Sequence, residues 1–127
     1  MTAMAEPLIR YDEPSDTLYV SFAPGESATG IELNPHILLR VDKLNRRPIG
    51  ITLFEFSILA QQTELGRRSF PLTGFADLSP VTRALAIELL RSAPVNEYLV
   101  LSAYSPTASE TIPITLLRAE KITQQVA

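Results

Sequence analysis

Hydrophobic and polar residues alternate through most of the first half of the chain. Between positions 16 and 23 the hydrophobic face consists of Leu18, Val20 and Phe22. This period of two predicts a half-buried β-strand. A preceding strand over 8–12 would pair with it, because Pro14 and the acidic residues around it favour a turn.

The same alternation predicts three further strands, over 30–33, 36–42 and 48–54. The connections are too short for parallel crossovers, so we expect an antiparallel meander of about five strands. Asn45 is the residue of the last turn that we expect in a left-handed conformation. After Leu53 the hydrophobic phase changes, as it would at a β-bulge or at the start of a helix, and we favour a short helix over 57–65 that ends at Gly66.

One main helix is predicted over 79–93. Ser79 is suited to the N-cap and Pro80 to the first helical position, whereas Pro94 prevents the helix from continuing. A hydrophobic stripe at a spacing of four consists of Val81, Leu85 and Leu89. We expect this stripe to pack on the hydrophobic face of the sheet.

The rest of the chain adds a smaller unit. Strands are predicted over 97–104 and 111–117, residues 67–75 are expected to be irregular, and residues 120–127 to fray. The fold class is therefore α+β: an antiparallel β-meander of about five strands, one main helix (79–93) and a two-strand C-terminal unit. We expect residues 1–127 to form a single domain, with 54–127 as an extension of the meander.

Short motifs with characteristic spacing occur between positions 9 and 53. They are Tyr11-Asp12, Asp16, Leu18-Tyr19-Val20 with Phe22, Ile31-Glu32, Val41-Asp42 and Ile49-Gly50-Ile51. In these motifs the segment resembles the small bacterial family catalogued as domain of unknown function 2283 (DUF2283). That family usually has a glycine in the turn where this chain has Asn45 or Arg46, and commonly an acidic residue at the position of Thr52. The resemblance implies a small β-meander and no assigned activity.

Composition excludes several classes of site. The 127 residues include no cysteine and one histidine, His36, which excludes Cys-ligated zinc, iron–sulfur clusters, thiol nucleophiles and a two-histidine metal site within one chain. A net charge of −3 disfavours nucleic acid as a partner. No hydrophobic run is long enough to span a membrane, and the first residues lack the pattern of a signal peptide. We expect a cytoplasmic protein without a cofactor.

Asp12, Glu13 and Asp16 place three carboxylates within five positions. Carboxylate oxygens are ligands for hard cations, which gives the hypothesis of a metal-dependent hydrolase that uses Asp12 and Asp16. The spacing of a calcium-binding loop is absent. We favour the simpler interpretation that both residues cap the turn by accepting backbone N–H groups, and we assign neither a metal ligand nor a catalytic residue.

His36 and three arginines are the remaining polar candidates. His36 has neither a nucleophile nor an orienting partner nearby in sequence, so we expect a local hydrogen bond at the start of a strand rather than a general base. Arg40, Arg46 and Arg47 are candidate ligands for a small anionic or phosphorylated compound. A solvated, charged hairpin tip explains the same arginines, and we favour that interpretation.

Four residues are candidates for a protein interface. Tyr19, Tyr98 and Tyr104 lie on semi-polar faces of predicted strands, and Ile87 lies on the outer face of the predicted helix. The edges of a five-stranded sheet also favour pairing across a twofold axis, so we expect a homodimer. The leading hypothesis is a non-enzymatic, homo-oligomeric protein-interaction module that also covers a protein partner. A binder of small anions and a metal-dependent hydrolase are the alternatives.

Overall fold

The computed structural model describes residues 6–126, with side chains as far as residue 122. Its first part contains five strands: β1 (Leu8–Asp12), β2 (Thr17–Ser21), β3 (Thr29–Asn34), β4 (Ile37–Asp42) and β5 (Arg47–Phe54). They form one antiparallel sheet in the order β1-β2-β5-β4-β3, which confirms the predicted α+β class and antiparallel pairing. The chain passes from β2 at one side of β5 to β3 at the far edge, so β2 pairs with β5 and not with β3.

The segment after β5 differs from its prediction. Helix α1 (Phe56–Leu59) has a single turn, and two short strands, β6 (Gln62–Thr63) and β7 (Gly66–Arg67), form a hairpin where a longer helix was expected. The Thr63 hydroxyl stabilises the hairpin turn, because it accepts from the N–H of Leu65 at 3.1 Å and donates to the carbonyl of Gly66 at 2.9 Å. Gly66 therefore belongs to a β-turn, with φ of +116°, and not to the end of a helix.

Helix α2 (Pro80–Leu90) begins as predicted, because the Ser79 hydroxyl accepts from the N–H of Thr82 at 3.2 Å. It ends at Leu90, three residues before the predicted end at 93. Val81 is 76% exposed, so its assignment to the packed stripe is wrong. The helix packs through its last two turns, and the buried residues are Leu85, Ala86, Leu89 and Leu90.

The C-terminal part forms a second sheet. The predicted pair is present as β9 (Leu99–Tyr104) and β10 (Ile112–Leu117), and β8 (Ser69–Pro71) adds a third strand in the order β8-β10-β9. A 3-10 helix over Thr73–Asp77 follows β8, so the region from 67 to 75 is more regular than expected. Helix α3 (Ala119–Val126) replaces the expected frayed end, and position 127 lies outside the described residues. Ile122 of α3 is fully buried, which ties this helix to the core.

One hydrophobic cluster connects the two parts of the chain. It combines residues of the five-stranded sheet, such as Leu18 and Leu39, with Leu89 of α2, Leu99 of β9 and Ile122 of α3. At the β3 edge the 3-10 helix comes so close that a Cβ on its Gly74 would lie 2.1 Å from a β3 carbonyl oxygen. Among residues 6–126, no helix is long and hydrophobic enough to cross a membrane.

Candidate interaction surface

The five-stranded sheet has two different faces. On one face, side chains such as Leu18, Leu39 and Ile51 are buried in the hydrophobic cluster. The other face, called the outer face here, carries the alternate positions of all five strands. They are Leu8, Arg10, Thr17, Tyr19, Ser21, Gly30, Glu32, Leu38, Arg40, Gly50, Thr52 and Phe54. None of the hydrophobic residues among them belongs to the cluster formed by the described residues.

One row of paired residues crosses the middle of the outer face. In spatial order it consists of Arg10, Tyr19, Thr52, Leu38 and Glu32. The guanidinium carbon of Arg10 lies 4.9 Å from the centroid of the Tyr19 ring, which is a cation–π contact. Tyr19 and Leu38 are half-buried, whereas Arg10 and Glu32 are exposed. The row therefore has a largely uncharged middle, a cationic end at β1 and an anionic end at β3.

A second row of the same face contains two glycines. Gly50 and Gly30 lie on either side of Arg40 in the strand register. A Cβ on Gly50 would lie 2.6 Å from the carbonyl oxygen of Val20, so the close approach of β2 requires glycine at this position. At the β1 edge of the same row, Leu8 is 59% exposed. The space above the two glycines is taken by neighbouring side chains, since Nη1 of Arg40 lies 3.4 Å from the Cβ position of Gly50 and Cδ1 of Leu38 lies 3.1 Å from that of Gly30.

Asp16 joins the β1–β2 turn to the start of α1. Its Oδ1 accepts from the Tyr11 hydroxyl at 2.7 Å and from the N–H of Ser57 at 3.0 Å, and its Oδ2 accepts from the Ser57 hydroxyl at 2.6 Å. The hydrogen bonds from Ser57, and then that from Tyr11, hold the pKa of Asp16 below its ordinary value. The hydrogen bond to Asp16 raises the pKa of Tyr11. The expectation that the Asp16 carboxylate caps its own turn is wrong, because its partner Ser57 is far along the chain.

The acidic loop holds no grouping that suits a metal ion. Asp12 accepts a hydrogen bond from the hydroxyl of Ser15 within the turn. In the described part of the chain, no group of three or more His, Cys, Asp or Glu side chains is arranged to hold a metal. The contacts of Asp12 and Asp16 are thus structural ones within the β1–β2 turn and between this turn and α1.

His36 makes the local hydrogen bond expected at the start of a strand. Its N–H donates to Oδ1 of Asn34 at 2.8 Å. Its ring Nδ1 lies 3.2 Å from Oε1 of Glu55, which has a left-handed backbone with φ of +56°. Both side chains remain more than one third exposed, so this is a surface contact.

The three arginines predicted to bind an anion do not form one site. Nη2 of Arg46 lies 3.0 Å from Oε1 of Glu88 in α2. Arg47 forms an ion pair with Glu26, and this contact raises the pKa of Arg47. Arg40 lies on the outer face and has no ion-pair partner among residues 6–126. Two of the three guanidinium groups already face a carboxylate of the same chain.

The four residues predicted at an interface lie in different environments. Tyr19 lies on the outer face of the five-stranded sheet, and Tyr104, 56% exposed, lies at the end of β9 in the other sheet. Tyr98 was expected on an exposed strand face, but it is 1% exposed and its ring centroid is 6.0 Å from that of Phe22. It precedes β9 as the cap of a 3-10 helix, so the alternation of β9 does not apply to it. Ile87 is half-buried against the core and does not lie on the solvent-facing side of α2.

A hydrophobic groove lies between the 3-10 helix, α2 and the β9–β10 hairpin. Its volume is about 500 Å³. Its walls include Leu72, Phe75, Ile87, Leu101, Ile112 and Pro113. Arg83 also lines the groove, and its Nη2 donates to the carbonyl of Phe75 at 3.0 Å. The groove belongs to the extension after residue 57 and is separate from the outer face.

Sequence reasoning identified Tyr19 on the outer face but missed Arg10, Leu38 and Glu32. The alternation within each strand could have placed them on this face, because each of these residues lies between hydrophobic neighbours that point to the opposite face. What the sequence did not contain was the order of the strands. Without the pairing of β2 with β5, the five residues of the central row could not be recognised as neighbours.

Comparison with known proteins identifies the segment that builds this sheet. Residues 8–57 match the family model described as "Protein of unknown function (DUF2283)". No curated protein and no solved structure matches the chain. The matched segment contains all five strands of the first sheet and ends at Ser57, the partner of Asp16. Over residues 8–57, the segment that carries the outer face, the chain is therefore similar to the DUF2283 family.

Proposed function

We propose that this chain is a non-enzymatic, homo-oligomeric protein-interaction module of the cytoplasm, and that a second copy of the chain covers the outer face. The observation that carries the proposal is the composition of that face. Tyr19 and Leu38 are half-buried without being part of the core, and Leu8 and Phe54 add 59% and 39% exposed side chains. Hydrophobic side chains gathered on one uncovered face favour association, whereas scattered ones do not. A chain without cysteine suits the reducing cytoplasm.

The other two hypotheses receive less support. Arg46 and Arg47 are neutralised by Glu88 and Glu26, which weakens the case for a site that binds a small anion. The carboxylate of Asp16 is occupied by three hydrogen bonds from within the chain, which weakens the case for a hydrolytic metal site.

Sedimentation velocity of the full chain over a wide concentration range tests the proposal. We expect a concentration-dependent dimer, and we expect Leu38→Lys to weaken it at least about tenfold, because a charge at a largely uncharged contact must be desolvated. Val81→Lys is the matched control, since Val81 is 76% exposed on α2 and lies outside the outer face.

Circular dichroism and thermal melting of both variants confirm that they fold. A wild-type chain that stays monomeric at every concentration contradicts the proposal. Equal association of the Leu38→Lys and Val81→Lys variants also contradicts it, because the dimer would then use another surface.

A further inference from the structure

We propose a specific arrangement for this dimer: the second copy lies face to face on the outer face, related by a twofold axis that runs parallel to the strands and passes over β5. The arrangement rests on the proposed function and adds the geometry of the pair. It predicts which residues meet, above all Arg10 of each copy with Glu32 of the other.

The strand order makes the face suited to this symmetry. β5 is the central strand, with β2 and β1 on one side and β4 and β3 on the other. Rotation by half a turn about an axis along β5 places β1 of one copy over β3 of the other, and β2 over β4. In the central row, Thr52 then meets Thr52 of the second copy, and Tyr19 meets Leu38 of the second copy.

The charges at the two ends of the row are complementary under this rotation. Arg10 and Glu32 are exposed, and neither has an ion-pair partner among residues 6–126. Within one chain four strand spacings separate them, about 19 Å, so they cannot pair with each other. Between two copies the rotation brings Arg10 over Glu32 twice. The cation–π contact with Tyr19 holds the Arg10 guanidinium over the sheet.

The second row adds one hydrophobic contact at each end of the pair. It runs Leu8, Ser21, Gly50, Arg40, Gly30 across the sheet. The same rotation places Leu8, the most exposed hydrophobic side chain of the sheet, over Gly30 of the second copy, where Cδ1 of Leu38 lies 3.1 Å from the position of a glycine Cβ.

A twofold axis across the strands is disfavoured by the same charges. It would place Arg10 against Arg10 and Glu32 against Glu32 of the second copy, and like charges that face each other oppose association. Both axes keep the strands of the two sheets within the angle of about 30° that packed sheets show, so the charges decide between them. The long side chains of Arg10 and Glu32 accommodate the displacement that this angle causes at the sheet edges.

Charge reversal tests the arrangement on the full chain. Arg10→Glu alone and Glu32→Arg alone each replace two attractive contacts by two repulsive ones, and we expect each to weaken the dimer about tenfold or more in low salt. The double variant Arg10→Glu/Glu32→Arg restores both pairs and the net charge, so we expect an affinity near that of the wild type. Arg118→Glu and Glu64→Arg are the matched controls, because both residues are exposed and lie outside the outer face.

Mixing the two single variants adds a second test, because a folding defect in either variant could not produce association in the mixture. The heterodimer has only attractive Arg–Glu contacts, so we expect it to form where neither variant dimerises alone. Single variants that dimerise like the wild type overturn the arrangement, as does a double variant that stays dissociated. If the wild type dimerises and Leu38→Lys weakens it while the charge variants do not, the proposed function stands and only the axis is wrong. A monomeric wild type contradicts both.

Discussion

The hydroxyl of Ser57 donates a hydrogen bond of 2.6 Å to Oδ2 of Asp16, 41 positions earlier in the chain. The backbone of Asp16 contributes as well, because its carbonyl accepts from the N–H of Phe56 at 2.9 Å. Asp16 has φ of +52°, a left-handed conformation that directs the turn toward α1. Tyr11 and Asp16, two positions of the DUF2283 resemblance, therefore have a structural role, because Asp16 joins Tyr11 at the end of the sheet to Ser57 in the segment that follows it.

Asp16→Asn tests this role. Asparagine keeps the size of the side chain and tolerates φ of +52°, but its amide nitrogen cannot accept the hydrogen bond from the Ser57 hydroxyl. We expect a melting temperature several degrees below that of the wild type, and a larger decrease for Asp16→Ala, in which all side-chain acceptors are lost. Glu64→Gln, a neutralisation at an exposed hairpin position, should melt like the wild type. Equal melting of all four proteins would show that the contact adds no stability.

The pH dependence of the same contact follows from the lowered pKa of Asp16. The ordinary value is 3.8, and the folded pKa lies below it, so the stabilisation is complete above about pH 5 and is lost as the pH falls through the folded pKa. The difference in melting temperature between wild type and Asp16→Asn should therefore be greatest near neutrality and narrow toward pH 2. Thermal melts at pH steps between these limits check this, and a difference that widens in acid would contradict it.

Asp16 also shows what sequence reasoning could and could not reach. Local chemistry correctly identified a turn between β1 and β2, because Pro and Asp are common turn residues. The Asp16 carboxylate was expected to accept from backbone N–H groups of its own turn, but its donors are the Tyr11 hydroxyl and the N–H and hydroxyl of Ser57. Contacts between residues distant in sequence depend on strand order, and the alternation of hydrophobic residues determines the face of each strand but not its neighbours.

Gly74→Ala tests the close contact at the β3 edge. The added Cβ would lie 2.1 Å from the carbonyl oxygen of Glu32 and 3.0 Å from that of Leu33, and backbone atoms cannot move aside without breaking the edge. We expect a loss of about 2 kcal/mol or more in the free energy of unfolding, measured by urea denaturation. Gly30→Ala is the matched control when both variants are measured at a concentration at which the chain is monomeric, because its Cβ would meet only the flexible Leu38 side chain at 3.1 Å. A similar loss in both variants would attribute the effect to the substitution and not to the contact.

Helix α2 provides a comparison of two positions that the sequence treated as equivalent. Leu89 is 4% exposed and Val81 is 76% exposed. Leu89→Ala removes a buried side chain and should cost about 2–5 kcal/mol, whereas Val81→Ala should change the free energy of unfolding by less than about 0.5 kcal/mol. Urea denaturation of both variants checks the contrast. A large loss for Val81→Ala would mean that the first turn of α2 is packed after all.

The stripe was mistaken at Val81 because helical spacing describes only directions around the helix axis. Val81 and Leu85 point in nearly the same direction, since four residues correspond to slightly more than one turn. Burial also requires another element at the same height along the helix, and that depends on how far the helix extends beyond its partners. Such information is a property of the assembled fold, so the burial of Leu85 and Leu89 was predictable from the sequence while the exposure of Val81 was not.

The β4–β5 turn offers a last test, because Arg46 and not Asn45 has the left-handed conformation there, with φ of +53°. Asn45 instead donates hydrogen bonds from its N–H and side chain to the carboxylate of Asp42, at 3.2 and 2.8 Å. A residue with a Cβ at such a φ costs about 1–2 kcal/mol relative to glycine. The ion pair of Arg46 with Glu88 is about half exposed and contributes only about 0.2–1 kcal/mol.

We therefore expect Arg46→Gly to be neutral or to stabilise the fold by up to about 1 kcal/mol, after allowing for the greater freedom of glycine in the unfolded chain. Arg46→Ala separates the two effects, since it loses the ion pair and keeps the strained backbone, and it should be less stable than both the wild type and Arg46→Gly. The measurement is the free energy of unfolding in urea for all three proteins. If Arg46→Gly were as unstable as Arg46→Ala, the contact with Glu88 would outweigh the backbone strain. The ion pair would then be the reason for an arginine at this turn position.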